Sequence, residues 1–177
     1  MALKYKREYG IWFLLIVMCF ASIIMITSST AFCSQEQNAW GPRIRELAPD
    51  FVLKDLDGEK VRLADYREKV VLLVFSTTWC QHCRKMPPYL NELRREYGDK
   101  GFVIFNIDIQ EPGKKVRSYA TRHGIDYRVL LDEKAETATA YEVMGVPSLI
   151  LVDRDGTIVC RQCRSLDRLL EDLLPAS

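Results

Sequence analysis

The chain has 177 residues, of which 48% are hydrophobic and 28% are charged, a composition typical of one globular domain with a short additional segment. Its formal net charge is +1, and because the first 33 residues contain three basic residues and one acidic residue, the remainder is nearly neutral, with 22 basic and 23 acidic residues. This balance gives no indication of a nucleic-acid partner.

Residues 1–33 have the pattern of a targeting segment. Basic residues precede an apolar run at 11–26, and Ser29-x-Ala31 offers small residues for a cleavage site. At about 1.5 Å per residue the run is short for a hydrocarbon core of about 30 Å, which favours a cleaved signal peptide. Extended through Phe32, it is just long enough for an uncleaved membrane anchor. Both alternatives place the rest of the chain outside the cytoplasm, in the periplasm or on the outer face of the membrane, where disulfides persist.

A polar linker at 34–46 is expected to lead into a single domain at 47–177. The domain begins with two short strand patterns within 51–63. They flank Asp57-Gly58, a dipeptide typical of a hairpin turn. The sequence therefore predicts an N-terminal β-hairpin.

A buried strand then leads directly into a pair of cysteines. The run at 70–76 is apolar and β-branched without helical periodicity, and Trp-Cys-Gln-His-Cys follows at 79–83. Apolar residues spaced by three and four predict an amphipathic helix over 84–97. The cysteines therefore lie on a strand-to-helix turn, where unpaired N–H groups and the helix dipole stabilise a thiolate. Cys80, expected to be exposed at the turn, is the expected nucleophile. Cys83, one helical turn further on and deeper, is expected to resolve a mixed disulfide on Cys80.

The rest of the chain alternates strands with helices and ends in a hairpin followed by a helix. Strand–helix–strand succession implies parallel crossovers and helices on both faces of the sheet. The predicted fold class is therefore α/β with a mixed central sheet. The predicted elements are a buried strand at 102–108, a helix at 112–123, a short strand at 127–131, a short helix at 136–142, a hairpin at 148–152 and 157–160, and a last helix from Ser165.

These motifs together resemble the thioredoxin superfamily. The cysteine motif after a buried strand is followed by Pro88, and Gly-Val-Pro at 145–147 precedes another apolar run. With Ala-Pro-Asp-Phe at 48–51, the chain from about 46 to 174 is similar to extracytoplasmic thiol-disulfide oxidoreductases of the TlpA/ResA type, which have a redoxin (AhpC/TSA-like) domain. The resemblance implies a thioredoxin-like fold and dithiol–disulfide exchange with exported proteins, as in cytochrome c maturation.

The resemblance also implies substrate contacts and partners. Pro147 is expected to be the cis-proline that faces the cysteine motif, and Val146 and Trp79 to contact an extended substrate. The implied partners are exported thiol or disulfide proteins, apocytochrome c among them, and a membrane redox donor of the DsbD/CcdA type. No cofactor is expected.

His82 and two substitutions bear on proton and electron transfer. A cationic His82 beside the Cys80 thiolate would tune its acidity and make the disulfide a stronger oxidant; the alternative is an exposed histidine without effect. Thioredoxin has a buried aspartate at the position of Val74, and ResA-type proteins have a glutamate at that of Met86. These motifs therefore place no acid to take the proton of Cys83, which leaves His82, water or another carboxylate.

Cys160 and Cys163 form a second pair with the same spacing. The predicted hairpin places them at the same sheet edge as Cys80, about 10 Å away laterally. Residues three apart in an extended strand point in opposite directions, so these two can bond only if the chain turns at Arg161-Gln162. The alternatives are a local structural disulfide, a second redox pair, or soft-metal ligands shared with the first pair.

Two other functional classes remain open. Thr77 and Cys80 satisfy the T-x-x-C pattern of peroxiredoxins, whose cysteine attacks peroxide. Leu73 replaces the proline of that pattern, however, and a second cysteine three residues later is not the usual resolving arrangement. The other class is a copper- or haem-delivery protein that uses the four cysteines. We assign no metal site from the sequence.

Overall fold

The computed structural model describes residues 46–163 and 165–174. The expected targeting segment and residues 34–45 of the expected linker lie outside these described residues. Within the described residues, no helix has the length and apolar character needed to cross a membrane. Glu46, predicted as the last linker residue, instead belongs to the first strand and pairs with Ile158.

The described part of the chain forms one mixed sheet of eight strands. The strands are β1 (Glu46–Leu47), β2 (Val52–Asp55), β3 (Lys60–Arg62), β4 (Val70–Ser76), β5 (Phe102–Ile109), β6 (Arg128–Asp132), β7 (Ser148–Val152) and β8 (Thr157–Arg161). Their spatial order is β1-β8-β7-β4-β5-β6-β2-β3. β4, β5 and β6 are parallel, whereas β7, β8 and the N-terminal hairpin pair antiparallel. The mixed sheet was predicted, whereas β1 was not.

The helices of the described residues lie close to where their patterns predicted them. The α-helices are α1 (Pro87–Tyr97), α2 (Gly113–Arg122), α3 (Glu136–Ala140) and α4 (Leu166–Leu173). Pro112 precedes α2 and Gly124, at φ +60°, follows it, as expected for a helix start and stop. Ser165 occupies the predicted N-cap position of α4, but its side chain makes no capping hydrogen bond.

The helix after the cysteines begins later than predicted. A single helix was expected from Arg84, but Cys83–Lys85 form a 3-10 turn and α1 begins only at Pro87. Proline lacks an N–H group and its fixed φ suits the first helical position, so Pro87-Pro88 favours a new helix start here. Tyr89, predicted to lie in the apolar stripe, is 38% exposed.

Helices cover both faces of the sheet, as predicted. β4 is buried along its whole length; Leu72 contacts the cluster under α1 and α4, whereas Leu73 contacts the cluster on the α3 side. Truncating either leucine to alanine should cost about 2–5 kcal/mol of stability. α2 packs on Val129, which neighbours Asn106 and through it Val74, so α2 shares the α1 face. The carboxyl ends of β4 and β5 therefore meet at one edge, beside α1 and α2.

Candidate active site

Cys80 and Cys83 lie on the turn between β4 and α1, and both are free thiols. The N–H group of Cys83 donates to Cys80 Sγ at 3.2 Å. On the other side, Cys80 Sγ lies 3.6 Å from the carbonyl oxygen of Val146. A backbone N–H directed at sulfur stabilises a thiolate. The predicted strand-to-helix turn is therefore confirmed, although the nearest N–H group belongs to the 3-10 turn and not to α1.

The two thiols differ less in exposure than expected. Cys80 was predicted to be exposed and Cys83 to lie deeper, but they are 6% and 4% exposed, respectively. This prediction is wrong because the loop at Val146 lies against Cys80. The chemical difference is clearer, since burial, followed by the hydrogen bond with Cys80, raises the pKa of Cys83 to about 12. Cys83 is therefore protonated at neutral pH.

The loop before β7 forms a groove beside Cys80. The Val146–Pro147 peptide bond is cis, as the resemblance implied. Trp79 and Met144 are 63% and 96% exposed, and both line a groove of about 480 Å³ that also includes Val146. Among the described residues, the N–H of Val146 has no backbone hydrogen-bond partner. The groove thus offers apolar side chains and a free backbone donor next to the reactive sulfur.

Two acidic side chains that the motifs did not reveal lie behind this turn. Asp108, near the end of β5, pairs with Ser76 of β4 and is 1% exposed. Neither of its carboxylate oxygens makes a hydrogen bond with a described residue. Glu111 accepts hydrogen bonds from the N–H of Thr78 at 2.5 Å and from its hydroxyl at 2.7 Å, and from Lys115 Nζ at 2.5 Å.

These surroundings give the two carboxyl groups different pKa values. Burial, together with the nearby Glu111 carboxylate, raises the pKa of Asp108 to about 8. Burial also acts to raise the pKa of Glu111, but the hydrogen bonds from Lys115 and Thr78 outweigh it and lower that pKa. Burial raises the pKa of Tyr119, and charges on Cys83 and on Asp108 add to this effect, so both groups lie within electrostatic reach of one phenol.

Apolar residues occupy the two positions where thioredoxin and ResA-type proteins have an acid. Val74 is buried beneath α1, and Met86 packs partly buried against the same cluster. A carboxylate in either place would have to be buried among leucines. Asp108 instead sits one strand away, on the same face as Val74. The signal for it was present in the sequence: an aspartate near the end of the second buried parallel strand, where the ends of such strands meet.

The sequence matches the AhpC/TSA family over residues 44–161. The chain belongs to the AhpC/TSA family. Thiol-disulfide oxidoreductase ResA from Bacillus cereus is 30% identical over 154 residues, which cover 87% of each chain. ResA from Geobacillus thermodenitrificans is 40% identical over 111 residues, and the chain spans 64% of the length of that relative.

Solved structures place the fold within the thioredoxin-like group. The thioredoxin domain of a thiol-disulfide oxidoreductase from Bacteroides vulgatus superposes with a TM-score of 0.70 at 28% identity. The match covers 76% of this chain and 99% of that domain. The predicted thioredoxin-like α/β fold is therefore confirmed. The predicted N-terminal hairpin is also present, as the antiparallel pair β2–β3.

His82 lies on the turn, but its imidazole is exposed to solvent. It makes no hydrogen bond or ion pair with a described residue; the two contacts of Cys80 Sγ are with the backbone of Cys83 and Val146. Solvent screens an exposed charge. A role for His82 in tuning Cys80 stays a prediction.

Cys160 and Cys163 are joined in a disulfide with their Cα atoms 5.7 Å apart. The bond requires the predicted turn, which is present because Gln162 adopts φ +53° and its N–H donates to the Leu149 carbonyl at 2.8 Å. Cys160 is 4% exposed and packs in the cluster beneath α4. The first alternative, a local disulfide, is the one observed. Among the described residues, no three His, Cys, Asp or Glu side chains converge as metal ligands.

Proposed function

We propose that the protein is an extracytoplasmic enzyme that exchanges the Cys80–Cys83 pair with the thiols and disulfides of exported proteins. The observation that carries this proposal is the position of Cys80 Sγ, between the N–H of Cys83 and the carbonyl of Val146. Thiol-disulfide exchange is also the activity named for the ResA relatives. The chain is thus a thioredoxin-like protein-disulfide oxidoreductase.

In the reducing direction, the Cys80 thiolate attacks one sulfur of a substrate disulfide. The substrate S–S bond breaks, a mixed disulfide forms on Cys80, and the released substrate thiolate takes a proton from water. Cys83 then loses its proton and attacks Cys80 Sγ, which releases the second substrate thiolate and leaves a Cys80–Cys83 disulfide. Two electrons pass to the substrate. The oxidising direction is the reverse of these steps.

In this proposal, the carboxylate of Asp108 is the general base that takes the proton of Cys83. It is buried, it makes no hydrogen bond with a described residue, and Tyr119 senses the charge of both groups. Its pKa of about 8 lies near working pH, as an efficient general base requires. Glu111 stays ionised and holds Thr78, the residue that precedes the motif Trp79-Cys80.

The groove beside Cys80 is the proposed binding site for the substrate chain. An extended segment would pair with the free N–H of Val146, next to Pro147, and place apolar side chains against Trp79 and Met144. Met144 had no signal in the sequence beyond its position in the loop. Its exposure of 96% is unusual for a large apolar side chain and favours a binding role.

The location and the partners follow from the N-terminal pattern and from the resemblance. A basic flank followed by an apolar run supports export, with the domain either released or anchored at the outer face of the membrane. The proposal implies exported thiol proteins as substrates, apocytochrome c among them, and a membrane redox donor of the DsbD/CcdA type.

Reduction of insulin disulfides by the reduced protein tests the proposal, with peroxide as the competing oxidant. We expect rapid transfer to insulin and slow thiol loss with peroxide. No observation favours the peroxidase alternative, since the Thr77 hydroxyl makes no hydrogen bond with a described residue, Cys80 included. Rapid consumption of peroxide without insulin reduction would reverse the assignment.

A further inference from the structure

A second depression lies between the active-site turn and α2. It has a volume of about 680 Å³. One wall is formed by Thr78 and Arg84 of the turn, and the other by a face of α2 that includes Lys114, Tyr119 and Arg122. We call this depression the α2 cleft.

The α2 cleft adjoins the reactive sulfur. Thr78 and Arg84 flank the cysteine motif, and Arg84 Nε donates to the Thr78 carbonyl at 3.1 Å, which ties the two ends of the turn together. Tyr119 lies within electrostatic reach of both thiols. A molecule held in the cleft is therefore a neighbour of whatever reacts with Cys80.

The side chains that line the cleft carry an excess of positive charge. No carboxylate lines it, and none of Arg84, Lys114 and Arg122 forms an ion pair with a described residue. Lys115, which also lines the cleft, pairs with Glu111. Five arginines elsewhere in the described residues bind carboxylates, namely Arg62, Arg94, Arg117, Arg128 and Arg161, so carboxylates are acceptable partners for this residue type in the fold.

We propose that the α2 cleft binds an acidic stretch of the substrate protein next to its reacting cysteine, so that substrates with carboxylates at this flank are preferred. The inference rests on the proposed function and names a substrate class for the same site. Arginine and lysine side chains that form no ion pair within the protein can bind the carboxylates of a partner.

The size and the surroundings of the cleft favour a peptide segment over a single small anion. Its volume is that of a site for a ligand of several residues. The rings of Tyr119 and His123 contact each other at a tilt of 41° with centroids 4.4 Å apart, so the cleft is lined by two aromatic rings as well as by cations. The same turn contributes Trp79 to the groove at Val146, so one extended chain passing Cys80 can contact both depressions.

The test uses peptide disulfides that differ only in whether the residues beside the cysteine are all Glu, all Gln or all Lys. We expect the full-length protein to have a kcat/KM about tenfold higher for the Glu peptide than for the Lys peptide at low salt. This ratio should shrink as ionic strength rises. The double variant Lys114→Glu/Arg122→Glu should invert the ratio. The matched control is Lys54→Glu/Lys60→Glu on the β2–β3 hairpin, which makes the same charge change and should keep the wild-type ratio.

Equal reactivity of the three peptides with the wild-type protein would overturn the cleft proposal, even if the double variant did not fold. A shift of the ratio by the hairpin variant as large as that by the cleft variant would overturn it as well. If none of the peptides is reduced, the proposed function itself fails, so the two failures are distinguishable.

Discussion

The chain contains two Cys-x-x-Cys pairs of identical spacing in opposite surroundings. Cys80 and Cys83 are free thiols on a turn between a strand and a helix, with a backbone N–H on one sulfur. Cys160 and Cys163 are bonded to each other at the end of β8, beneath α4. Spacing alone therefore does not make a reaction centre; the element that carries the pair decides what the sulfurs can do.

The difference lies in what surrounds each sulfur. The first pair lies beside an apolar groove and a loop that carries a free N–H, and Asp108, the proposed base, is buried opposite Ser76 at the end of the strand that leads to the pair. Around the second pair, the described contacts of Cys163 Sγ are with the backbone carbonyls of Leu149 and Cys160. The first pair is equipped for exchange, whereas the second connects a strand end to the core.

The largest expected effect separates the two pairs by mutation. Cys80→Ser should lower the rate of insulin reduction by more than about 1,000-fold, because the attacking thiolate is lost. Cys160→Ala/Cys163→Ala should retain the activity and lose about 2 kcal/mol of unfolding free energy, as expected for a very small disulfide ring. Insulin turbidity and urea denaturation measure the two effects.

The double variant also tests whether the second pair is a relay. A second redox pair that exchanges with Cys80 stays a prediction of the sequence. Slower electron transfer in Cys160→Ala/Cys163→Ala at unchanged stability would favour the relay and would contradict a purely structural role for the second pair.

Cys83→Ser should stop turnover at the mixed disulfide. Cys83 is the buried, protonated thiol that resolves the mixed disulfide in the proposed mechanism. Without it, Cys80 can still attack the substrate but cannot be released from the mixed disulfide. Mass spectrometry after incubation with a peptide disulfide should find one peptide on Cys80. An adduct on Cys83 in the Cys80→Ser variant, together with no adduct on Cys80 in the Cys83→Ser variant, would reverse the roles.

Asp108→Asn should slow the attack of Cys83 about tenfold or more. The reaction can be isolated by loading Cys80 with thionitrobenzoate and following its release. In the wild-type protein, the rate should rise as pH passes through about 8, where Asp108 loses its proton. Glu111→Gln should move this rise to lower pH, since it removes the neighbouring negative charge. Identical pH profiles in the wild type and in Asp108→Asn would exclude this base.

The pH dependence of stability is an independent measure of the pKa of Asp108 in the folded protein. Its folded pKa of about 8 lies above the value of 3.8 for an unperturbed aspartate, so the folded state binds a proton that the unfolded state has lost. Stability should therefore fall as pH rises from about 4 to 8. Asp108→Asn should remove this loss and raise Tm at pH 8 by about 2–4 °C for each kcal/mol regained. A lower Tm for the variant at that pH would contradict the burial argument.

The smallest effect is expected at His82. Because its imidazole is exposed and bonds to no described residue, His82→Pro should lower the reduction potential of the first pair by less than about 30 mV, equivalent to about 1.4 kcal/mol. Equilibration with glutathione buffers measures the shift. A larger change would mean that the imidazole, and not the N–H of Cys83, sets the potential.

Local patterns in the sequence predicted most of the fold. The apolar runs of β4 and β5, the turn at Asp57-Gly58 and the Gly-Val-Pro motif before β7 are signals within a few residues, and each lies where it was expected. The late start of α1 is also a local effect, of Pro87 and Pro88, that the helical stripe concealed.

The rest depends on contacts between distant parts of the chain. The burial of Cys80 comes from Val146, sixty-six residues further along. Asp108 lies beside the end of β4 because β5 pairs with β4. The α2 cleft exists because α2 shares the α1 face, which spacing along the chain does not reveal.

Mass mapping of alkylated cysteines across a series of glutathione potentials separates an exchanging pair from a structural pair. We expect two separate two-electron transitions: Cys80 and Cys83 become alkylatable together, while Cys160 and Cys163, whose disulfide is largely buried, stay bonded until more reducing conditions. Reduction of all four cysteines in one transition, or of Cys160 and Cys163 first, would contradict the division into an exchanging pair and a structural pair.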